Sequence, residues 1–238
     1  LRDYLVSELS IDDRMVWVIP PPVPQEFFKI DYKSAEYTSE IRRVYGFDEN
    51  DFVIAYIGHI IPQRGIFELL KAFAEATKLN SDLKLVISYP NIIFKDLSYD
   101  YLSILRRMVD KYGLKDKVLI LGKQLLTRIY AAADILFFGF SDSFYFTYPP
   151  LVVCEAMAAG VPFILKKSSL IKELFGDNVP VPVYEDVDNL TNILLEVANS
   201  RRALINISRK LKSIAEEKFS PMSVINKLYI ADLAILGG

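Results

Sequence analysis

The chain contains very few of the side chains that bind transition metals or form covalent cross-links. Its 238 residues include one cysteine, Cys154, and one histidine, His59. A single cysteine excludes an internal disulfide and a cysteine-based metal cage, and a single histidine excludes a histidine cluster. We therefore predict a reducing, cytoplasmic setting, no bound metal and no cofactor.

A large net charge is also lacking. The 28 basic and 30 acidic residues leave a formal net charge of −2. This balance produces no overall field that would attract nucleic acid, so nucleic acid is not expected as a partner and any phosphate must be bound locally. A peripheral contact with a membrane stays open, because a balanced total does not exclude one basic face.

Long hydrophobic runs are absent as well. The densest apolar stretch, residues 131–140, is interrupted by Asp134 and is too short to span a bilayer. With 52% hydrophobic residues overall, the chain instead has the apolar content expected of a sheet that is buried on both faces.

Two glycine-rich phosphate-binding motifs are missing. The chain has neither G-x-G-x-x-G nor G-x-x-x-x-G-K-[ST]. NAD-dependent hydride transfer and P-loop nucleotide hydrolysis are therefore disfavoured.

Short apolar runs alternate with amphipathic stretches from about residue 50 onward. This alternation is typical of an α/β domain with a doubly wound parallel sheet. The predicted strands are 52–57, 83–87, 118–121, 135–138, 163–165 and 179–183. The predicted helices, most with apolar residues at three- and four-residue spacing, are 65–78, 99–112, 126–132, 151–159, 170–175, 190–198, 201–218 and 221–236.

The first thirty or so residues differ from the rest. They contain a strand-like run at 15–19 and a proline-rich run at 20–24, which is typical of an extended linker. Because the chain opens with Leu1 rather than Met, we expect it to be a piece of something longer. We assign residues 1–32 to a lead-in and residues 33–238 to one nucleotide-binding domain with C-terminal helices.

The loop after the first predicted strand is a candidate phosphate-binding turn, because ligands of open parallel sheets bind beyond the carboxyl ends of the strands. Gly58 permits close backbone approach, Gly65 opens the next helix, and His59 and Arg64 lie between them. An arginine beside a helix N-terminus can hold a diphosphate through two parallel hydrogen bonds. The alternative is ordinary polarity on a solvated loop.

The loop after the third predicted strand contains Gly122 and Lys123. These residues could contact a flat base, although an ordinary tight loop is the better explanation. The aromatic and proline-rich loop 141–150 could shape a sugar pocket or simply pack against the domain.

The segment 149–165 places one acid, Glu155, in what we predict to be the first turn of a small-residue helix that ends at Gly160. The N–H groups that begin this helix, at Leu151 and Val152, could bind a phosphate. The alternative is that Glu155 only caps a surface helix terminus.

Three segments together are similar to a known family. The turn from Gly58-His59 to Arg64-Gly65 is similar to a Gly-Arg, short turn, Lys-Gly pattern, and residues 117–138 to a strand, glycine turn, helix and Ala-Asp-strand sequence. Glu155-Ala-Met-Ala, with Gly160 and Pro162, matches the second half of a Glu-x7-Glu-Ala-Met-Ala-x-Gly-x-Pro motif. Over about residues 15–236 the chain resembles the C-terminal, donor-binding domain of family 4 (group 1 type) glycosyltransferases, retaining enzymes of the two-domain GT-B fold.

The resemblance implies a role for each matching residue. Glu155 would hydrogen-bond the ribose of a nucleotide-diphosphate sugar, the donor substrate. Arg64 would replace the family lysine that neutralises the leaving diphosphate, assisted by His59 and by the helix N-terminus at Leu151. The implied activity is retaining transfer of a hexose to an unknown acceptor.

Two positions depart from the family pattern. His59 stands where the family has arginine, and Thr147, a further candidate donor-binding residue, stands where the family has the glutamate that faces the donor sugar. These departures would permit the alternative of a degenerate nucleotide-sugar-binding or partner-binding module without transfer activity, but an active transferase is the preferred interpretation.

The resemblance also implies a missing partner domain. The proline run resembles the hinge of such enzymes, so residues 1 to about 30 would be the tail of an N-terminal acceptor domain that is absent from this chain. In the family the final helix crosses back onto that domain. We therefore predict that Leu228, Leu233 and Leu236 are incompletely buried in this chain alone.

Overall fold

A parallel sheet lies at the centre of the molecule. The computed structural model describes residues 2–29, 34–90, 100–141 and 149–236. Within them the strands are β1 Phe52–Ile57, β2 Leu83–Ser88, β3 Val118–Leu121, β4 Ile135–Phe138, β5 Phe163–Lys166 and β6 Val183–Tyr184. Their order is β3-β2-β1-β4-β5-β6, and every neighbouring pair is parallel.

Helices connect the strands and complete the chain. In the described residues they are α1 Arg2–Ser7, α2 Glu26–Lys29, α3 Ala35–Tyr45, α4 Ile66–Ala76, α5 Tyr101–Lys111, α6 Leu126–Ala132, α7 Leu151–Ala159, α8 Ser169–Phe175, α9 Val187–Asn199, α10 Arg201–Phe219 and α11 Pro221–Leu236.

The sheet is buried on both faces, as the composition predicts. Alternate residues of β1 point to opposite sides: Val53 and Ala55 pack with α6, α7, α8 and α10, whereas Phe52, Ile54 and Tyr56 pack with α4, α5 and α9. Successive side chains of a strand alternate between faces, so a strand covered on both sides must be apolar throughout. The predicted doubly wound parallel α/β fold is confirmed.

The lead-in differs from its prediction. The strand expected at 15–19 does not form: Met15 ends a short 3-10 helix that begins at Asp13, and residues 16–19 have no regular structure. The proline run has no regular structure and packs against the domain, since Val23 is buried and its N–H donates to the carbonyl of Phe219 at 2.9 Å. The domain boundary near residue 32 stays a prediction.

The bounds of the final strand differ from the predicted ones, whereas the final helix begins where it was predicted to begin. Strand β6 forms at Val183–Tyr184 rather than at 179–183. Helix α11 begins at Pro221, and the N–H of Ser223 donates to the hydroxyl oxygen of Ser220 at 3.2 Å, which caps the helix.

The last helix leaves apolar side chains in solvent, as predicted. Leu228 is 46% exposed and Leu233 is 52% exposed. The prediction is confirmed for these two leucines, and the side chain of Leu236 lies outside the described residues.

A buried ion pair joins elements at the amino ends of the strands. Arg42 of α3 donates to Asp134 just before β4 at 2.6 Å, and to the carbonyl of Ala132 at 3.0 Å and that of Asp51 at 3.3 Å. The same carboxylate oxygen of Asp134 accepts from the N–H of Val53 at 2.8 Å. This network lies at the opposite end of the strands from the candidate site.

Candidate functional site

The candidate site lies where the winding of the sheet reverses. Strands β1 and β4 are neighbours, and the chain runs outward from them in opposite directions, to β2 and β3 on one side and to β5 and β6 on the other. The loops that leave the carboxyl ends of two such strands diverge and create a crevice for ligands. The loop after β1 contains Gly58, His59 and Arg64, and the loop after β4 leads to α7.

Gly58 makes room for the side chain of Arg64. The φ angle of Gly58 is 150°, and Nη1 of Arg64 lies 2.7 Å from the position that a Cβ of residue 58 would occupy. Any larger residue at 58 would therefore displace the guanidinium group. From the sequence we expected Gly58 to permit a close approach of the backbone, and the group that approaches this glycine is the side chain of Arg64.

Arg64 is a confined cation. Its guanidinium carbon lies 5.5 Å from the centre of the Phe140 ring, in the loop after β4. Burial lowers the pKa of Arg64, but the group starts so far above neutrality that it remains charged. Arg64 therefore brings a positive charge to the reversal point of the sheet.

His59 is neutral at physiological pH. Burial, and secondarily the charge of Arg64, lower its pKa below the ordinary value of 6.5. The hydroxyl of the buried Tyr56 donates to the carbonyl of His59, which holds the backbone of the turn. His59 can therefore donate one hydrogen bond to a ligand but adds no charge.

The loops after β1 and β4 touch through two glycines. A Cβ on Gly65 would lie 2.8 Å from Cα of Gly139, and a Cβ on Gly139 would lie 2.8 Å from Cα of Gly65. The Tyr184 hydroxyl lies 2.9 and 2.7 Å from those same two Cβ positions. Our sequence reasoning singled out Gly65 but not Gly139 or Tyr184, although a glycine directly after a buried strand is a recognisable signal.

A polar cluster of Glu68, Lys166 and Tyr184 lies beside the contact between Gly65 and Gly139. Glu68, in the first turn of α4, accepts from Lys166 at 2.6 Å and from the Tyr184 hydroxyl at 2.7 Å. Burial and then the bond to Glu68 raise the pKa of Tyr184, so the hydroxyl stays protonated and donating. Our sequence reasoning missed this cluster, because its members lie 98 and 116 positions apart.

Helix α7 presents its N-terminus at the same edge of the sheet. It begins at Leu151, and its N-cap, Pro150, makes no side-chain capping bond. The first N–H groups of a helix need acceptors, and those of Leu151 and Val152 have none within the described part of the chain, so they could bind an anion. The C-terminus is as predicted, with Gly160 in the left-handed conformation at φ 68°.

Glu155 lies deeper than predicted. It is the fifth residue of α7, in the second turn, so the prediction of a first-turn acid was wrong. The side chain is only 8% exposed, which rejects the surface-acid alternative, and burial raises its pKa from 4.5 to about 7. Among the residues that the structure describes, Glu155 has no hydrogen-bond or ion-pair partner.

The remaining candidates lie at the same edge but two strands away from β1, or lie outside the described residues. Gly122 and Lys123 follow β3, the outer strand, so β2 lies between them and β1. The carbonyl of Gly122 accepts from the Ser88 hydroxyl at 3.3 Å, and Lys123 is exposed. Thr147 lies outside the described residues.

The described residues contain neither a cluster of metal ligands nor a helix that could span a membrane. In residues 2–29, 34–90, 100–141 and 149–236, no three His, Cys, Asp or Glu side chains are grouped to hold a metal ion. Over the same described ranges, each helix is too short or too polar to cross a membrane. The metal-free prediction stays a prediction, and a peripheral membrane contact stays open.

Replacing Gly65 with alanine will lower the free energy of unfolding by about 3 kcal/mol, because the left-handed backbone and the backbone contact with Gly139 each oppose a Cβ. The matched control is Gly113→Ala, since Gly113 has nearly the same φ, 67°, but nothing within 4 Å of its Cβ position. We expect about 1 kcal/mol there. Urea denaturation measures both, and equal losses would disprove the tight contact.

Comparison with known proteins identifies the family. Residues 38–216, more than half of the chain, match the family model described as glycosyl transferases group 1. D-inositol 3-phosphate glycosyltransferase of Segniliparus rotundus is 27% identical over 182 residues, covering 74% of this chain and 37% of the relative. Alpha-monoglucosyldiacylglycerol synthase of Streptococcus pneumoniae is 24% identical over 223 residues, covering 92% and 47%. The chain spans less than half the length of these two curated relatives.

Solved structures share the fold. The HepE protein of Anabaena in complex with UDP superimposes with a TM-score of 0.79 at 20% identity, over 96% of this chain and 60% of that one. The C-terminal domain of a glycosyl transferase group 1 family protein from Francisella tularensis gives a TM-score of 0.67 at 18% identity, over 84% of this chain and 99% of that one. The chain belongs to the glycosyl transferases group 1 family and has the fold of the C-terminal half of a GT-B glycosyltransferase.

Proposed function

We propose that this chain binds the nucleotide part of an activated sugar and serves as the donor-binding half of a retaining hexosyltransferase. The main support is Glu155, a residue only 8% exposed whose carboxyl group has no hydrogen-bond partner in the described part of the chain. Burying a carboxyl group without hydrogen bonds is costly. The two adjacent hydroxyl groups of a ribose would supply the missing donors.

The diphosphate of the donor would lie between Arg64 and the N-terminus of α7. Arg64 supplies a full positive charge, and the first N–H groups of α7, at Leu151 and Val152, supply hydrogen bonds. Charge accumulates on the diphosphate as the bond to the sugar breaks, so these fixed donors would stabilise the transition state more than the bound donor. His59 would add a neutral hydrogen bond.

UDP is the first nucleotide to test. The Anabaena HepE structures contain UDP, UDP with glucose, or UDP-glucose. We propose no metal ion at this site, because Arg64 and the N-terminus of α7 would stabilise the negative charge of the diphosphate. Gly122 and Lys123 would lie beyond β3, beside the base.

Transfer itself is proposed for the full-length protein. The chain spans 37% and 47% of the lengths of the two curated relatives, so an acceptor domain outside this sequence would complete the reaction. The acceptor and the stereochemical outcome belong to that complete protein.

One observation favours a second candidate, a nucleotide-sugar-binding module without transfer activity. The family places an arginine at position 59, whereas His59 has a lowered pKa and carries no charge at neutral pH. The site thus has one cation fewer for the leaving diphosphate. Donor hydrolysis or transfer by the full-length protein would exclude this alternative.

Alanine in place of Arg64 will weaken UDP binding by about 10- to 100-fold, because hydrogen bonds to a charged group contribute about 1.5–3 kcal/mol. Calorimetric titration of the wild-type protein and the variant with UDP, GDP and ADP measures the effect. Arg209→Ala is the control, since Arg209 is exposed on α10. A wild-type protein that binds none of the three nucleotides would disprove the proposed function.

A further inference from the structure

The guanidinium group of Arg64 is held between two loops. It occupies the notch left by Gly58, with Nη1 2.7 Å from the absent Cβ. Its carbon also lies 5.5 Å from the centre of the Phe140 ring, within the range of a cation–π contact. These two contacts restrict where the guanidinium group can lie.

Phe140 is itself rigidly held. Its side chain is 3% exposed, and its ring stacks on that of Phe138, at 5.7 Å between centroids and 8° between planes. The N–H of the next residue, Ser141, donates to the carbonyl of Gln63 at 3.2 Å. The loop that contains Phe140 is therefore tied to the turn that contains Arg64.

We infer that Phe140 is a positioning residue, which aims the guanidinium group of Arg64 at the diphosphate of a bound nucleotide. This inference rests on the proposed function, in which Arg64 holds that diphosphate. It also gives a reason for arginine at position 64. A planar guanidinium group stacks on an aromatic face, whereas a lysine ammonium is a compact, strongly hydrated charge on a flexible stem.

The energetic gain comes from pre-organisation. Arginine has a long side chain that loses rotamer freedom when it binds a ligand. The Phe140 ring and the Gly58 notch impose that loss before the nucleotide arrives. Leucine at 140 would keep the site apolar but remove the aromatic face.

A double-mutant cycle tests the inference through the dissociation constant of UDP, measured by calorimetry. Phe140→Leu and Arg64→Lys are each expected to weaken UDP binding by about 5-fold. Because both changes remove the same contact, the double variant should bind UDP nearly as well as either single variant. Phe140→Tyr keeps an aromatic face and should retain wild-type affinity. A general packing defect would explain neither the non-additive loss in the double variant nor the wild-type affinity of Phe140→Tyr.

Controls separate the possible failures. Phe163→Leu removes a buried ring that contacts Phe138 and should leave UDP affinity unchanged. If Phe140→Leu does not fold, Phe140→Met replaces it with the same expectation. Unchanged affinity in the residue-140 variant, or additive losses in the double variant, would overturn the inference while Arg64→Ala still weakens UDP binding. Absence of UDP binding by the wild-type protein would overturn the proposed function as well.

Discussion

Replacing Asp134 with alanine will lower the free energy of unfolding by about 3–5 kcal/mol, one of the largest effects expected in this protein. The side chains of Arg42 and Asp134 are only 9% and 15% exposed, so the deletion would leave a guanidinium charge buried without its carboxylate. It would also remove the acceptor for the N–H of Val53. Urea denaturation followed by circular dichroism measures the loss.

An exposed ion pair provides the matched control. Lys78 and Glu75 of α4 and its C-terminal turn also approach to 2.6 Å, but their side chains are 66% and 58% exposed. Exposed pairs contribute less than about 1 kcal/mol, so Glu75→Ala should change stability very little. Similar losses for the two alanine variants would mean that burial of the Arg42–Asp134 pair has no special effect.

Replacing Glu155 with glutamine will have opposite effects on binding and on stability. UDP binding should weaken by about 10- to 100-fold, because the amide cannot offer a charged acceptor to the ribose hydroxyls. Titration calorimetry at pH 8 measures this loss. Glu196→Gln is the control, since Glu196 is exposed on α9, which packs on the other face of the sheet.

The same substitution will remove a pH dependence of stability. The pKa of Glu155 is raised from 4.5 to about 7 in the folded protein, so between these values the native state binds more protons than the unfolded state. Its contribution to stability is therefore complete below pH 4.5 and is lost as the pH rises through 7. From pH 5.5 to pH 8 the wild-type protein should lose roughly 1–2 kcal/mol relative to Glu155→Gln. Parallel pH profiles for the two proteins would show that the carboxyl is not buried as described.

The strands of the domain were largely predictable, because a sheet covered on both faces leaves continuous apolar runs such as Phe52–Ile57 and Ile135–Phe138. The prediction of a strand at 15–19 was wrong, since these residues pair with no strand in the described part of the sheet. Helix α3 was not predicted. Its Ile41 packs on α6 and its Arg42 binds Asp134, contacts across some ninety positions that a local pattern does not contain.

The site was predictable in its parts but not in its arrangement. Gly58, Arg64 and Glu155 were identified from turn residues and from the family resemblance. The burial of Glu155, the neutral state of His59 and the Phe140 ring beside Arg64 depend on packing between loops. The role of each residue in donor binding remains a proposal for experiment.

The amino-acid sequence by itself determined the α/β class, the order of the strands and helices from β1 onward, and the family, because these follow from local hydrophobic periodicity and from short motifs. Only the tertiary structure decided how β1 and β4 meet, which brings Gly65 against Gly139 and Arg64 against Phe140. It also decided that Glu155 is largely buried and without a hydrogen-bond partner among the described residues. The physical reason is that burial and electrostatic environment are set by residues distant in the chain, and these determine which charges a ligand can meet.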